Sequence, residues 1–517
     1  MNTVSKKIIC FIASLIFVCG VSLGAAASEP YGTYDYSTDN YNDQISSAKS
    51  QANARRVPDA FSYETALNSD NVTGLDKPLN APEDFVYDKS GRVIISDTGN
   101  ARLVLIDINT LSAREIIGWR KDSTSGNFAG AVGLFFGNGR LYVCLRDEGR
   151  VLIIPESAYL NTAGSTVVAE TLIEAPDLSS VTDSFSFKPS KVVADDTMRM
   201  YVIVQGTFDG LVTLDADGEF LGYMGANEIS MSLWERFWRS IYSEKQINAS
   251  ADTVPVEFYG MDIDGEGFIY TTSKGENSEN AVRRLNLIGR DVIKNSTHYI
   301  KGDLSVLTKK GNPGTDSNLV DIDVTDGGIY TCLDNARGRI FTYNSDGDLL
   351  FAFGGLAARK GAFSVPCAVE WCEEKLAVLD KGAGELVIFA PTEYGSAVIE
   401  AAVTQYSGEY GESWSAWEKV LAMNPNNETA NRNVGKLEYD KGDYKSAMRY
   451  FKTANDTELY SKAYSKYRSE KMSDIIPYIA VAIILLAVFL TVATIVRYIK
   501  ASRERFKNFI KEVRRTK

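Results

Sequence analysis

The sequence predicts a mainly β chain: a six-bladed β-propeller, followed by a small α-helical repeat module and one transmembrane helix. Three observations carry this. A strand–turn–strand–turn–strand pattern recurs six times within residues 58–392. Past Pro391 the apolar spacing changes from two residues to about 3.6. Finally, Ile475 to Val496 is a run of 22 residues without a charge, long enough to cross a bilayer.

The 517-residue length favours about three domains. With 44% hydrophobic and 24% charged residues, the chain is not disordered, collagen-like or a polytopic membrane protein. Its single histidine, His298, argues against His-based metal sites and Ser-His-Asp chemistry.

The N-terminus reads as a signal peptide over residues 1–27. Lys6 and Lys7 precede an apolar run from Ile8 to Val21, and Ala25-Ala26-Ala27 offers the cleavage site. Residues 28–57 are rich in Tyr, Asp, Ser and Asn without periodicity, and read as a mobile leader. The propeller is expected over 58–392, the helical repeats over 393–472 and the spanning helix over 475–496. The tail, 497–517, carries nine Lys or Arg against Glu504 and Glu512, a net +7. Such a tail belongs on the cytoplasmic side, and a cleaved leader puts the ectodomain outside, a single-pass cell-membrane topology. The whole chain is at −12; with the tail at +7 and the leader lysines at +2, the remainder carries −21, which argues against nucleic-acid partners. Phe506, Phe509, Ile510 and Val513 share one side of a helical tail. That side would suit anionic lipid or a partner, the simpler reading being a topogenic stop signal.

The repeats run Asn80–Asp107, Ala131–Ile154, Pro189–Leu221, Phe258–Val292, Asn318–Phe353 and Pro366–Phe389. One such unit cannot bury both its faces, whereas a closed ring of units can. The middle strands are nearly continuously apolar, as burial on both faces requires. The sixth unit ends after three strands, so Phe61–Leu67 is expected to supply its fourth and seal the ring. Cys144 and Cys332 are placed at the middle-strand position that Ser96 fills in the first repeat, and with Cys367 and Cys372 are expected as free thiols.

The first repeat, with Pro82, Gly91 and Asp97-Thr98-Gly99-Asn100-Ala101-Arg102, resembles the NHL repeat; Asp334-Asn335-Ala336-Arg337 and Asp380-Lys381-Gly382 are partial echoes. The resemblance covers about residues 58–392 and implies a six-bladed propeller without implying a function. Further on, Gly408/Gly442, Tyr410/Tyr444, Ser413/Ala447, Trp417/Phe451 and Val420/Ala454 repeat at 34 residues, which resembles the tetratricopeptide repeat (TPR). Two such units are few for independent stability, so they are expected to pack on the following helix or on the propeller.

Candidate sites are sparse. Trp234, Phe237, Trp238, Ile241 and Tyr242 share one helical face, either a platform for a sugar or partner or a buried cap. Glu83, Asp84, Asp97, Asp334 and Asp380 are placed near a propeller mouth, where carboxylates would take a cation or polyol unless they close turns within each blade. Asp215–Glu219 and Asn344–Asp348 look superficially like calcium loops but fit hairpin turns better. No catalytic constellation, metal motif or cofactor signature is visible. The full arrangement resembles a group of Gram-positive membrane proteins often encoded beside carbohydrate ABC transporters. That resemblance implies a permease or solute-binding protein as partner. The reading is a non-enzymatic, membrane-anchored binding or scaffold protein using propeller and TPR surfaces. The alternatives are a hydrolase or lactonase acting on envelope carbohydrate, and a sugar sensor.

Overall fold

Strand-forming residues are concentrated where the repeats placed them, and the second strand of each repeat is the most deeply covered. Arg92–Asp97, Arg140–Leu145, Met200–Val204, Ile269–Ser273, Tyr330–Asp334 and Lys375–Asp380 are buried at every position except a leading Arg or Lys in three of them. Runs of Val, Ile, Leu and Tyr without alternation are stable only when both sheet faces are covered. The computed structural model describes residues 32–36, 54–161, 165–176, 186–207, 210–225, 257–273, 281–293, 302 and 317–515. The expected signal peptide, His298 and the aromatic set Trp234, Phe237, Trp238, Ile241 and Tyr242 lie outside these residues.

Each second strand sits in an antiparallel sheet. The first sheet runs in order Asp84–Tyr87, Arg92–Asp97, Arg102–Asp107, Ser112–Ile116, and five others share its antiparallel order, the fourth with three strands among the described residues; a separate small sheet joins Thr166–Val168, in parallel, to the hairpin Gly118–Lys121 and Thr124–Gly126. The first strands of the six sheets are Asp84–Tyr87, Ala131–Gly137, Pro189–Ala194, Phe258–Ile263, Leu319–Val324 and Pro366–Cys372. Each lies against the next, and the last lies against the first. The result is mainly β and propeller-like. Its core is divided into slabs between successive sheets. Ile94 and Leu103 pack with Leu141, Val143 and Leu152, whereas Ile95 and Val104 on the opposite face pack with Ala377, Leu379 and Leu386. Two glycines let the inner strands approach this closely. A Cβ on Gly133 would lie 2.2 Å from the Ser190 carbonyl oxygen, and one on Gly260 would lie 2.6 Å from the Asp321 Cα.

The last sheet is completed from the N-terminal side. Phe61–Leu67 pairs antiparallel with Glu385–Pro391, from Leu386 opposite Leu67 to Pro391 opposite Phe61. The Phe61 ring is 1% exposed and stacks on Phe353 at 5.2 Å, with Trp371 edge-on at 5.8 Å. The strand expected as a latch is thus in place.

Two short pieces of the 28–57 segment are also ordered as strands. Tyr34–Tyr36 pairs with Leu349–Phe353, and Ala54–Arg56 pairs with Tyr34–Tyr36, so the fifth sheet has six strands. A free outer edge accepts another strand whatever its side-chain pattern, because the bonds are backbone ones. Absence of periodicity was therefore a poor guide here.

Among the described residues Cys144, Cys332, Cys367 and Cys372 form no disulfide. The ladder bears out the expected position of Cys144 and corrects that of Cys332. Asp97 faces Arg102, Leu145 faces Arg150 and Asp334 faces Arg339. By that register Cys144 matches Ser96, while Cys332 matches Ile95, one residue away and on the other face. A single-residue slip inverts the face in a strand.

The chain divides into two compact units, residues 1–430 and 431–517. In the first, Thr392 accepts the Gly395 N–H at 3.1 Å and starts the helix Glu393–Tyr406. That helix sets Val403 and Tyr406 against Gly327 and Gly328 of the fifth sheet's first turn. Tyr410–Met423 packs beside it. Glu428–Asp440 crosses the division. In the second unit Asp443 caps Tyr444–Thr453, which buries Ala447 and Phe451 with Ala463 of the next helix. The pairs Ser413/Ala447, Trp417/Phe451 and Val420/Ala454 are all buried. The last helix, Thr457–Arg515, has 59 residues and contains Pro477. It is long and apolar enough to cross a membrane by length and composition.

Candidate functional site

The six inner strands surround a polar cavity of about 440 Å³. Asp84, Lys191, Asp262, Asp321, Asp323 and Glu370 line it, each from a strand at the ring's centre. Asp321 and Asp323 reach it together because alternate residues of a strand share a face. In five of the six inner strands the ladder slips at the point where the chain meets the cavity, before Gly133, Lys191, Met261, Asp321 and Ala368. Such a bulge re-aims the side chain that follows it.

The carboxylates follow one rule: each accepts a backbone N–H from the inner strand of the next sheet. Asp84 accepts from Leu134 at 2.7 Å, Asp262 from Val324 at 2.8 Å, and Asp321 from Val369 at 2.9 Å. Asp323 accepts from Trp371 at 2.7 Å, and Glu370 from Tyr87 at 3.3 Å, which carries the series across the ring closure. Inner strands are not laddered to each other, so these N–H groups would otherwise be buried without a partner. The acidic residues therefore clasp sheet to sheet. Lys191 adds a cross-ring tie: its Nζ lies 2.8 Å from both Asp84 and Asp321.

Crowded acids in a covered site resist ionisation. Burial pushes the Asp84 carboxyl up to about 6, with Lys191 opposing and Asp321 adding to the rise. Asp262 also rises to about 6, mainly by burial, and Asp323 and Glu370 are held well above the ordinary carboxylate range by burial and by their acidic neighbours. Asp262 and Asp323 also act on each other, the Asp262 charge adding to the rise of Asp323. Lys191 is held firmly charged against its own burial by Asp321 and Asp84. Among the described residues no group of three or more His, Cys, Asp or Glu has a geometry that would hold a metal.

Of the five mouth residues expected from sequence, only Asp84 reaches this cavity. Glu83 turns away and pairs with Lys381 of the sixth sheet. Asp97, Asp334 and Asp380 are fully buried at the ends of second strands, and each closes its own sheet. Asp97 accepts from the Asn80 N–H and the Arg102 Nε, both at 2.7 Å. Asp334 accepts from the Asn318 N–H at 3.0 Å and the Ser317 hydroxyl at 2.7 Å. Asp380 accepts from the Ser364 and Val365 N–H groups at 2.6 and 2.9 Å. Apart from Arg102, which lies on the third strand, the donors lie on the segment leading into the inner strand, which draws these carboxylates back from the axis. The residues missed were Lys191, Asp262, Asp321, Asp323 and Glu370. Their signal was a charge at alternate positions of an inner strand, as in Val320-Asp321-Ile322-Asp323-Val324.

The two calcium-loop lookalikes close hairpins. Asp215 accepts from the N–H groups of Asp217 and Glu219, and Asn344 from that of Asp348.

No family model matches this chain, and no curated protein does. Solved structures similar to it include virginiamycin B lyase from Staphylococcus aureus, at 10% identity and a TM-score of 0.37 over 64% of this chain and 99% of that one. The allergen Mala s 1 of Malassezia sympodialis gives 12% identity and a TM-score of 0.41 over 64% and 96% of the two chains. A calcium-binding regucalcin from Agrobacterium tumefaciens gives 11% and 0.35 over 61% and 92%.

Proposed function

We propose that the chain is a membrane-anchored, non-enzymatic binding or scaffold protein with a six-bladed propeller and a TPR-like module outside the cell. The observation that carries this reading is how the central acids are used. Five carboxylates hold the N–H groups of neighbouring sheets, and Lys191 already occupies the place between Asp84 and Asp321. A ring whose centre is taken up by its own ties works through its outer surfaces. The 22-residue apolar run and the +7 tail support a single span with the tail in the cytoplasm. The partner class is a protein of the same membrane, with a carbohydrate ABC transporter as the specific expectation.

The test is affinity capture of the full-length chain from gently solubilised native membranes. Stoichiometric recovery of transporter subunits supports the reading. Recovery of the chain alone, at detergent levels that keep other membrane complexes together, counts against stable scaffolding.

A second reading, a hydrolase acting on envelope carbohydrate, is favoured by one feature. Asp262 and Asp323 line the cavity together, and both carboxyls are held above the ordinary range, as a general acid requires.

A further inference from the structure

The tail following the apolar span is helical to Arg515 and strongly two-sided. At 3.6 residues per turn, Tyr498, Ile499, Phe506, Phe509, Ile510 and Val513 fall on about one third of the circumference. Arg503, Lys507 and Arg514 flank that face on one side and Arg505 on the other. The face is uncovered: Phe506 is 65% exposed and Phe509 61%. No glycine or proline interrupts residues 497–515.

We propose that this helix lies flat on the membrane from which it emerges, its aromatic face in the headgroup boundary and its cations on anionic lipid. Standing straight out, its 19 residues would reach about 28 Å from the bilayer, at 1.5 Å rise each. Most of the cations would then be beyond the screening distance of about 8 Å, and the aromatic face would stand in water. Lying flat satisfies both faces at once, and requires the helix, continuous from Thr457 to Arg515 in the structure, to bend where the apolar run ends. A topogenic stop signal needs the charges but gives no reason for the stripe. The proposal rests on Ile475–Val496 being a bilayer span, not on which way the span points.

The test uses the full-length chain with Phe509→Trp, reconstituted into phosphatidylcholine vesicles with and without phosphatidylglycerol, the acyl chains brominated. The unaltered chain supplies the background from its six native tryptophans. Emission of the added tryptophan should be quenched by roughly half in anionic vesicles and much less in neutral ones or in high salt. Adding Phe506→Ser and Ile510→Ser should abolish the quenching. An integral chain whose added tryptophan stays unquenched in both compositions overturns the proposal. So does a tryptophan shielded from aqueous quencher only in dimers, because the stripe then faces a second copy. Release of the chain by alkaline carbonate overturns the span and the tail proposal together, and is distinct from either result.

Discussion

Lys191 shows how much one residue carries in the ring. Replacing it with Met leaves Asp84 and Asp321 facing each other without a cation. Breaking such a buried tie costs about 3–5 kcal/mol. We expect Lys191→Met to lower the unfolding free energy of the propeller-like region by that order, read from urea unfolding, and Asp84→Asn with Asp321→Asn in the same chain to recover most of it. A Lys191→Met chain as stable as the parent would remove the cross-ring tie from the account. The acids also set a pH dependence. Asp84 and Asp262 are raised to about 6, so in acid the folded chain binds more protons than the unfolded one. Their contribution is complete below the unfolded carboxylate range and is lost as pH rises through about 6. Half-buried Asp107 and exposed Glu170 are shifted down and act in the opposite sense, at lower pH. The thermal midpoint should therefore rise as pH falls from about 7 to about 5. A flat or falling midpoint over that range contradicts the pKa assignments. At this scale the sequence was legible where a group's partners are local: the turn-closing alternative holds for Asp97, which accepts from Asn80 and Arg102 of its own repeat. The cavity was not legible, because Asp84, Lys191 and Asp321 meet only when distant repeats close into a ring.

At the scale of elements, the latch is the point of greatest leverage. Phe61–Leu67 joins the two ends of the β region through a full antiparallel ladder, and Phe61 fills a pocket among Phe353, Phe351 and Trp371. Phe61→Ala should cost about 3–5 kcal/mol, read from urea unfolding. Removing the chain through Leu67 should prevent folding of the propeller-like region. A truncated chain with native-like cooperative unfolding would show that closure does not depend on this strand. The latch was legible because the sixth repeat lacks a strand and an apolar one is left over at the other end. The added strands Tyr34–Tyr36 and Ala54–Arg56 were not, since edge pairing is made by backbone groups and leaves little trace in residue type.

For the whole molecule, we propose that the acidic centre is structural and that function lies on the outside of a membrane-anchored ring. The competing readings place a cation or a carbohydrate in the cavity. They are separated by the thermal midpoint of the purified full-length protein, measured with and without divalent cations and a panel of envelope sugars. A ligand bound at a hundred times its Kd would stabilise the fold by about 2.7 kcal/mol, a readily seen shift. We predict no shift, because the clasping carboxylates and Lys191 already satisfy one another. A rise with calcium or with a sugar that disappears in Asp323→Asn or Glu370→Gln would contradict the account and make the cavity the working site.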